Sequence, residues 1–513
     1  MNNYEKNIPR SFYIKKNFSW QLVQNSVAVI FPFIIRTLFV YIIGDELLGF
    51  NSLCLSIINT LNVANFGIDS VLIGRMYRPV ETGDTAEVCR QLKLCQTIYR
   101  IIGLVILVGG FTVLPFLGYF IEGDVPNVNI YFVFTIYVIT TVLSYWLFGY
   151  YLVVFKATQQ LYYLNKNMTI GFLLQYGLQV LALLMHSYYI YICFVPISSI
   201  FYNISTYRKL RKEYPQYFCE GKTDKTTIRT LQNDVLSCAI YRVRDASRDT
   251  LDSIIISAVL GLVILSNYQN YLTVFLVPLI LRTVITGTIT PSLGNFNVTA
   301  SRKEQYDMVK ILWLLEIAVS GFFSICYFQL ITEFISIWLG KSHVLQLSVA
   351  LILSVYLFSL GICDFFKMIR QTNQLWEQGR RVAVIEMMVN LILNIVLAKW
   401  LGVFGIVLAT VITIIAIQLP YELWLIVKFF FGQDVKRFLW LIIKVVVWMV
   451  TTNAIVWYIV NMISYDKYVL LIIQAIISVA VAGMLFILFF HTDEEWKTLL
   501  RIVFREKKFR YKK

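Results

Sequence analysis

Apolar residues run along this chain in long blocks. They show neither the strict alternation of a half-buried strand nor the one-sided stripe of a soluble helix. Short polar clusters separate the blocks. A helix needs about 20 apolar residues to cross the hydrocarbon core of a bilayer. Blocks of that length predict about fourteen crossings, at 18–43, 47–74, 91–121, 129–155, 168–186, 188–207, 231–261, 266–294, 306–331, 344–370, 382–400, 402–428, 437–462 and 466–490. The seventh block begins unusually. Within it the stretch Ala239 to Val259 reads AIYRVRDASRDTLDSIIISAV and holds Arg242, Arg244, Asp245, Arg248, Asp249 and Asp252.

Composition agrees with the pattern. The chain has 513 residues, 58% hydrophobic and 15% charged, whereas soluble domains sit near 45–50% apolar and about 25% charged. This predicts an all-α polytopic membrane protein. The start, MNNYEKNIPRSFYIKK, is polar and basic and shows no cleavable signal pattern, so the first block is expected to stay as a span.

Charge orients the spans. With the N-terminus inside, the inner segments hold 35 of the 45 Lys and Arg, and the outer loops hold only Lys341, Lys399 and Lys467. Positive charge gathers on cytoplasmic loops, so both termini are expected in the cytoplasm. The net charge of +15 is accounted for there, without a nucleic-acid partner. Eight cysteines are scattered without a CxxC pair, and His186, His343 and His491 lie far apart. No disulfide framework, metal site or cofactor is expected. The outer loops are too short for a catalytic domain, which points to a transporter rather than an enzyme.

The polar loop at 208–230 divides the chain. The expected organisation is a cytoplasmic N-terminus (1–17), a first lobe of six helices (18–207), the inter-lobe loop (208–230), a second lobe of six helices (231–428), two appended helices (437–490) and a basic cytoplasmic tail (491–513). The halves echo each other: Phe155-Lys156 and Phe366-Lys367 both stand at the inner edge of a fourth span, and Gly44 and Gly261 both close a first span. Six spans per half give the lobes the same topology, related by a pseudo-twofold axis along the membrane normal.

Local patterns add a resemblance. Phe33-Ile-Ile-Arg36-Thr leads to Gly49-Phe-Asn-Ser-Leu53. Asn65-Phe-Gly67 is followed by Arg75 and Arg78-Pro-Val-Glu-Thr-Gly-Asp84. Asp252-Ser-Ile-Ile-Ile-Ser257 is followed by Gly261 and Ser266-Asn-Tyr-Gln-Asn-Tyr271. Pro291-Ser-Leu-Gly-Asn295 and Leu401-Gly-Val-Phe-Gly-Ile-Val-Leu-Ala-Thr410 complete the set. In this order and topology the chain resembles the polysaccharide-transporter branch, the O-antigen flippase type, of the multidrug/oligosaccharidyl-lipid/polysaccharide exporter superfamily. The resemblance implies a bacterial cytoplasmic-membrane flippase that moves undecaprenyl-pyrophosphate-linked oligosaccharide from the inner to the outer leaflet for surface polysaccharide biosynthesis, by alternating access. Its partners would be that lipid-linked substrate, membrane lipids and polysaccharide-assembly proteins.

Charges within spans are costly and usually face a cavity or a partner. With Gly261 as the outer end and about 1.5 Å per residue, Asp252 lies roughly 14 Å deep and Arg248 and Asp249 roughly 18–20 Å deep. Arg242 and Arg244 come close enough to the inner face to snorkel. The plain reading of the group is mutual neutralisation along the stripes 244/248/252 and 242/245/249. The functional reading is a cavity wall, in which arginine forks hold a pyrophosphate and Asp249 and Asp252 take a coupling H+ or Na+. The resemblance places spans 1, 2, 7 and 8 around the cleft, so Arg36 and Arg282 join Arg248 as expected substrate contacts. Asp69, Glu316, Asp364, Glu386 and Glu422 are further acids in or near spans. A multidrug antiporter of the same fold would favour an acidic, aromatic cavity. A membrane glycan polymerase or ligase would need a sizeable outer loop.

Overall fold

The computed structural model describes residues 10–62, 68–123, 127–221, 240, 243–245, 248, 250–373, 375, 378–463 and 466–504. Among them there are helices and turns and no strand. Ten described helices are long and apolar enough to cross a membrane, or eleven when the bent pair Ile130–Trp146 and Gly149–Ala157, which meet at 45°, counts as one. Contacts divide the chain into two units, Met1–Gln269 and Asn270–Lys513.

The first unit contains α1 (Arg10–Ile42), α2 (Asp45–Leu61), α3 (Ile68–Thr82), α4 (Thr85–Val113), α5 (Ile130–Trp146), α6 (Leu152–Ala157), α7 (Leu161–Leu184), α8 (Tyr188–Cys193) and α9 (Ile197–Glu213). It also holds α10 (residues 250–260) and the start of α11 (Leu262–Thr299). Helix α1 packs along α7 through ordered polar and aromatic pairs. Asn17 Oδ1 accepts from the Tyr162 amide at 2.7 Å, Asn165 Nδ2 donates to Gln21 Oε1 at 2.9 Å, and Phe31 stacks on Tyr176 at 5.5 Å. Both numbers rise together, so the helices are parallel, as three crossings between them require. Lipid tails are as apolar as leucine, so such bonds and close packing hold the helices together rather than a hydrophobic drive between them.

The second unit continues with α12 (Arg302–Trp338), α13 (Leu347–Asn373), α14 (Arg380–Thr413), α15 (Leu419–Glu422), α16 (Lys436–Asn461), α17 (Lys467–Phe490) and α18 (Glu494–Phe504), with π-helical turns at Ile414–Gln418 and Leu423–Phe430. Its packing centres on Trp313, whose ring lies 4.8, 5.3 and 5.6 Å from those of Phe365, Phe366 and Phe438. The indole N–H finds the Phe438 carbonyl at 3.3 Å, which satisfies the polar tip of a fully buried tryptophan.

The stretch Arg380–Phe430 is a hairpin. As one straight helix its 51 residues would be about 77 Å long, against a core of about 30 Å. Asn390 Nδ2 instead donates to Thr410 Oγ1 at 3.0 Å, where a straight helix would separate the two by about 30 Å. The reversal is at Gly402, with φ 59° and ψ −139°, a conformation open only to glycine. Three residues on, a Cβ at Gly405 would lie 2.3 Å from the Leu397 carbonyl oxygen, so the arms touch directly after the turn. The sequence places its break between spans one residue earlier, at Leu401. The fold requires it independently, because α12 and α16 run parallel: Trp313 meets Phe438, Gly321 meets Trp448, and Gln329 Nε2 donates to Asn453 Oδ1 at 2.8 Å. Only an odd number of crossings between them allows this, and α13 supplies one.

The tail expected at 491–513 is helical over Glu494–Phe504 and docks on the second unit. Arg437 bonds Asp493 at 2.9 Å and Glu495 Oε1 at 2.9 Å, Lys444 pairs with Asp493, and Trp496 sits edge-on to Phe486 at 5.0 Å.

Candidate functional site

In the first unit the expected residues Arg36, Arg248 and Asp252 lie on or beside α1 and α10. Arg36 lies near the end of α1, where its Nη2 donates to the Ser266 carbonyl at 2.8 Å. The Ser266 hydroxyl donates to Asp45 Oδ1 at 3.1 Å. Asp45 opens α2 just after the Gly44 turn. This chain of contacts links α1, α2 and the first turns of α11. A further tie holds the region together: the Glu122 amide, beyond α4, donates to the Ser257 carbonyl of α10 at 3.0 Å.

Arg248 and Asp252 are both buried, with 5% and 2% of their surface exposed. Their spacing of four residues puts them on one face of a helix, and Asp252 is on α10. Below them Arg244 is buried as well, and both its Nε and its Nη2 bond Asp245, at 3.0 and 2.7 Å. The sequence lets Arg244 snorkel to the inner surface, and its guanidinium is paired there with the adjacent Asp245 carboxylate. Arg242 and Asp249 lie outside the described residues.

Arg282 is a different case. It belongs to the second unit, has no exposed surface, and is flanked by two carboxylates. Its Nη2 bonds Asp364 Oδ2 on α13 at 2.6 Å, its Nε bonds Glu316 Oε1 on α12 at 3.3 Å, and its Nη1 reaches the Leu357 carbonyl at 3.4 Å. Ser320 Oγ also donates to Glu316 Oε1, at 3.4 Å. The expected substrate-facing cation is therefore committed to internal acids, and it ties α11, α12 and α13 together. The sequence shows Glu316 and Asp364 only as separate intramembrane acids. Periodicity along one helix does not reveal which neighbour a charge meets. A second buried pair, Arg370 Nε with Glu422 Oε2 at 2.9 Å, joins α13 to α15.

The two units thus hold their cations differently. In the second, both carboxylates around Arg282 come from other helices, Glu316 buried and Asp364 36% exposed. In the first, Arg36 Nη2 donates to the Ser266 carbonyl, whose hydroxyl bonds Asp45, and Arg248 and Asp252 share a face of the segment that the sequence marks as the most highly charged span.

No family model matches the chain, and no curated protein matches its sequence. Its structure resembles that of "Lipid II flippase MurJ, inward closed conformation", with a TM-score of 0.68 over 94% of this chain and 99% of that one, at 13% sequence identity. An inward-facing multidrug resistance MATE family transporter of the MOP superfamily superposes with a TM-score of 0.59, covering 79% of this chain and 96% of that one at 12% identity. The eukaryotic MATE transporter AtDTX14 gives 0.57, with 84% and 99% covered at 10% identity. The chain has the all-helical fold of these multi-pass membrane transporters.

Proposed function

We propose that the chain is a lipid flippase that moves polyprenyl-pyrophosphate-linked oligosaccharide from the inner to the outer leaflet of a bacterial cytoplasmic membrane, by alternating access and without covalent chemistry. The observation that carries this reading is the end-to-end likeness to a structure named as a lipid II flippase, which spans 94% of this chain. The motif resemblance to polysaccharide transporters supports the oligosaccharide class. The arginines of the first unit supply the chemistry. A guanidinium fork matches a pyrophosphate in geometry and charge, and Arg36 and Arg248 are assigned that role. Asp252, with Asp249, is assigned the coupling H+ or Na+. Arg282 enters as a structural tie.

A multidrug antiporter is the second reading, because MATE transporters share the fold. Those structures leave more of this chain unmatched, with 79% and 84% covered.

Deleting the gene separates the readings. A flippase mutant accumulates lipid-linked glycan on the inner leaflet and loses surface polysaccharide. Normal surface glycan combined with new drug sensitivity would overturn the assignment in favour of the antiporter. Arg36→Ala and Arg248→Ala should each lower glycan export about tenfold or more, the weight of one lost charged hydrogen bond, with membrane insertion unchanged. Full export in both variants removes these residues from the site.

A further inference from the structure

We infer that the second unit binds one hydroxylated sugar ring in a polar cavity built from residues other than those assigned to transport above. The cavity has a volume of about 300 Å³, and its lining includes Asn297, Arg302, Gln305, Thr372, Asn373 and Phe430. It lies where the end of α11, the start of α12, the end of α13 and the π-helical turn Leu423–Phe430 meet. Small-ligand pockets begin near this volume, so it suits a single ring rather than a chain. The distribution of lysine and arginine leads us to expect this end of the spans on the cytoplasmic side.

The bonds of each amide decide which way it points. Gln305 Nε2 donates to the Asn297 and Ala300 carbonyls, at 2.9 and 3.0 Å. Two backbone acceptors hold the nitrogen and turn Oε1 away from them. Asn373 Nδ2 donates to the Ile369 carbonyl at 2.9 Å, so its Oδ1 is the atom that accepts from Asn297 Nδ2, at 3.3 Å. That leaves Asn297 Oδ1 at the end of the row, a buried acceptor with no hydrogen-bond partner among the described residues. An unmet buried acceptor costs free energy until a donor reaches it. The Thr372 hydroxyl donates to the Met368 and Ile369 carbonyls, both at 3.1 Å, and so it too meets a ligand as an acceptor.

This mixture of donors and acceptors selects the ligand. Arg302 lies over the Phe430 ring at 4.0 Å, a contact that uses none of its N–H donors. A phosphate or carboxylate brings acceptors alone; it would suit the arginine and confront the oxygens of Asn297, Gln305 and Thr372. An ammonium brings donors alone and would confront the guanidinium. A hydroxyl both donates and accepts, and a sugar ring carries several at fixed spacing. Its hydroxyls can donate to the three oxygens while accepting from Arg302.

The test uses the purified full chain in phospholipid nanodiscs, free of sugar-headed detergent. Methyl glycosides of glucose, galactose and N-acetylglucosamine are titrated by saturation-transfer NMR. At least one should bind saturably, and Arg302→Ala and Asn297→Leu should each weaken it about tenfold or more. Arg302 is exposed, and Ser301 with Glu304 makes the cap of α12, so Arg302→Ala maintains the test if Asn297→Leu fails to fold. No saturable binding of any of these glycosides overturns the inference, as does unchanged affinity in Arg302→Ala. Competition by inorganic phosphate at the concentration of the glycoside would overturn it in favour of an anion site. Displacement of the glycoside by a polyprenyl-pyrophosphate-linked glycan in the same nanodiscs assigns the ring to the head of a lipid-linked substrate. Binding that this lipid leaves unchanged assigns the cavity to a free cytoplasmic sugar. Because the assay reads binding without transport, its failure would leave the flippase reading to the gene deletion.

Discussion

Arg282 shows what a single residue does when two carboxylates share it. Removing the cation strands Glu316 in a buried setting and takes from Asp364, whose side chain is 36% exposed, its 2.6 Å contact. Arg282→Ala should therefore cost about 3–5 kcal/mol, the usual penalty for breaking a buried ion pair from one side, read as a lower unfolding midpoint in detergent. Glu316→Gln should cost clearly less, because Asp364 remains at 2.6 Å. Equal losses in the two variants would mean that the cluster is not organised around the arginine. The same contact constrains Gly361. A Cβ there would fall 1.9 Å from Ser320 Oγ, so Gly361→Ala must push α12 and α13 apart and should cost about 1–3 kcal/mol. Little of this was legible in the sequence. Each charge was visible, and so was its expense in a membrane, but the partner of each lies on another helix. Arg36 and Arg248 stand out in the sequence because their segments have a distinctive local pattern, and their role is the one proposed above.

At the scale of elements, most spans could be read because an apolar run of the required length has few alternatives. The break at Gly402 was readable too, since Leu401-Gly-Val-Phe-Gly405 sets two glycines where an extended helix would not tolerate them cheaply. Gly402→Ala should destabilise the hairpin by about 1–3 kcal/mol, the cost of a strained backbone position, measurable as lower thermal stability of the purified protein. Helix α18 was missed, because a basic tail reads as solvated charge. The signal was present in its order: two acids, Trp496, then Leu499 and Leu500 at helical spacing. Its docking should depend on pH. Burial raises the Glu495 carboxyl, but hydrogen bonds from Arg437 outweigh it and hold the group below its ordinary value of 4.5. A lowered carboxylate contributes stability that is complete above the unfolded value and lost as pH falls through the folded one. Release of α18, followed by limited proteolysis at the C-terminus, should thus begin below about pH 4.5 and should shift upward in Arg437→Gln.

For the whole molecule, the distribution of lysine and arginine predicts which side of the membrane each helix end occupies. The hairpin makes this testable with two substitutions. Lys399→Cys, just before the reversal, should react with a membrane-impermeant thiol reagent applied to intact cells. Arg381→Cys, at the other end of the same arm, should react only after the membrane is opened. The reverse pattern would invert the topology and with it the proposed direction of transport. The fold class was legible from hydropathy alone. The register between helices was not, because it is set by contacts such as Asn17 with Tyr162 and Trp313 with Phe438 that join residues more than a hundred positions apart.

The hairpin at Gly402 also constrains how the protein is made. Its first arm carries Asn390, Asn394 and Glu386, all buried in the finished fold, and Asn390 Nδ2 donates across to Thr410 on the second arm. Released alone into lipid, that arm would present amides and a carboxyl to a solvent that cannot satisfy them. The two arms should therefore leave the insertion machinery as a pair, with the second still emerging from the ribosome while the first waits. Slow codons or a pause before Thr410 would expose the arm to quality-control proteolysis at a stage when every other feature of the mature protein is still intact in the message.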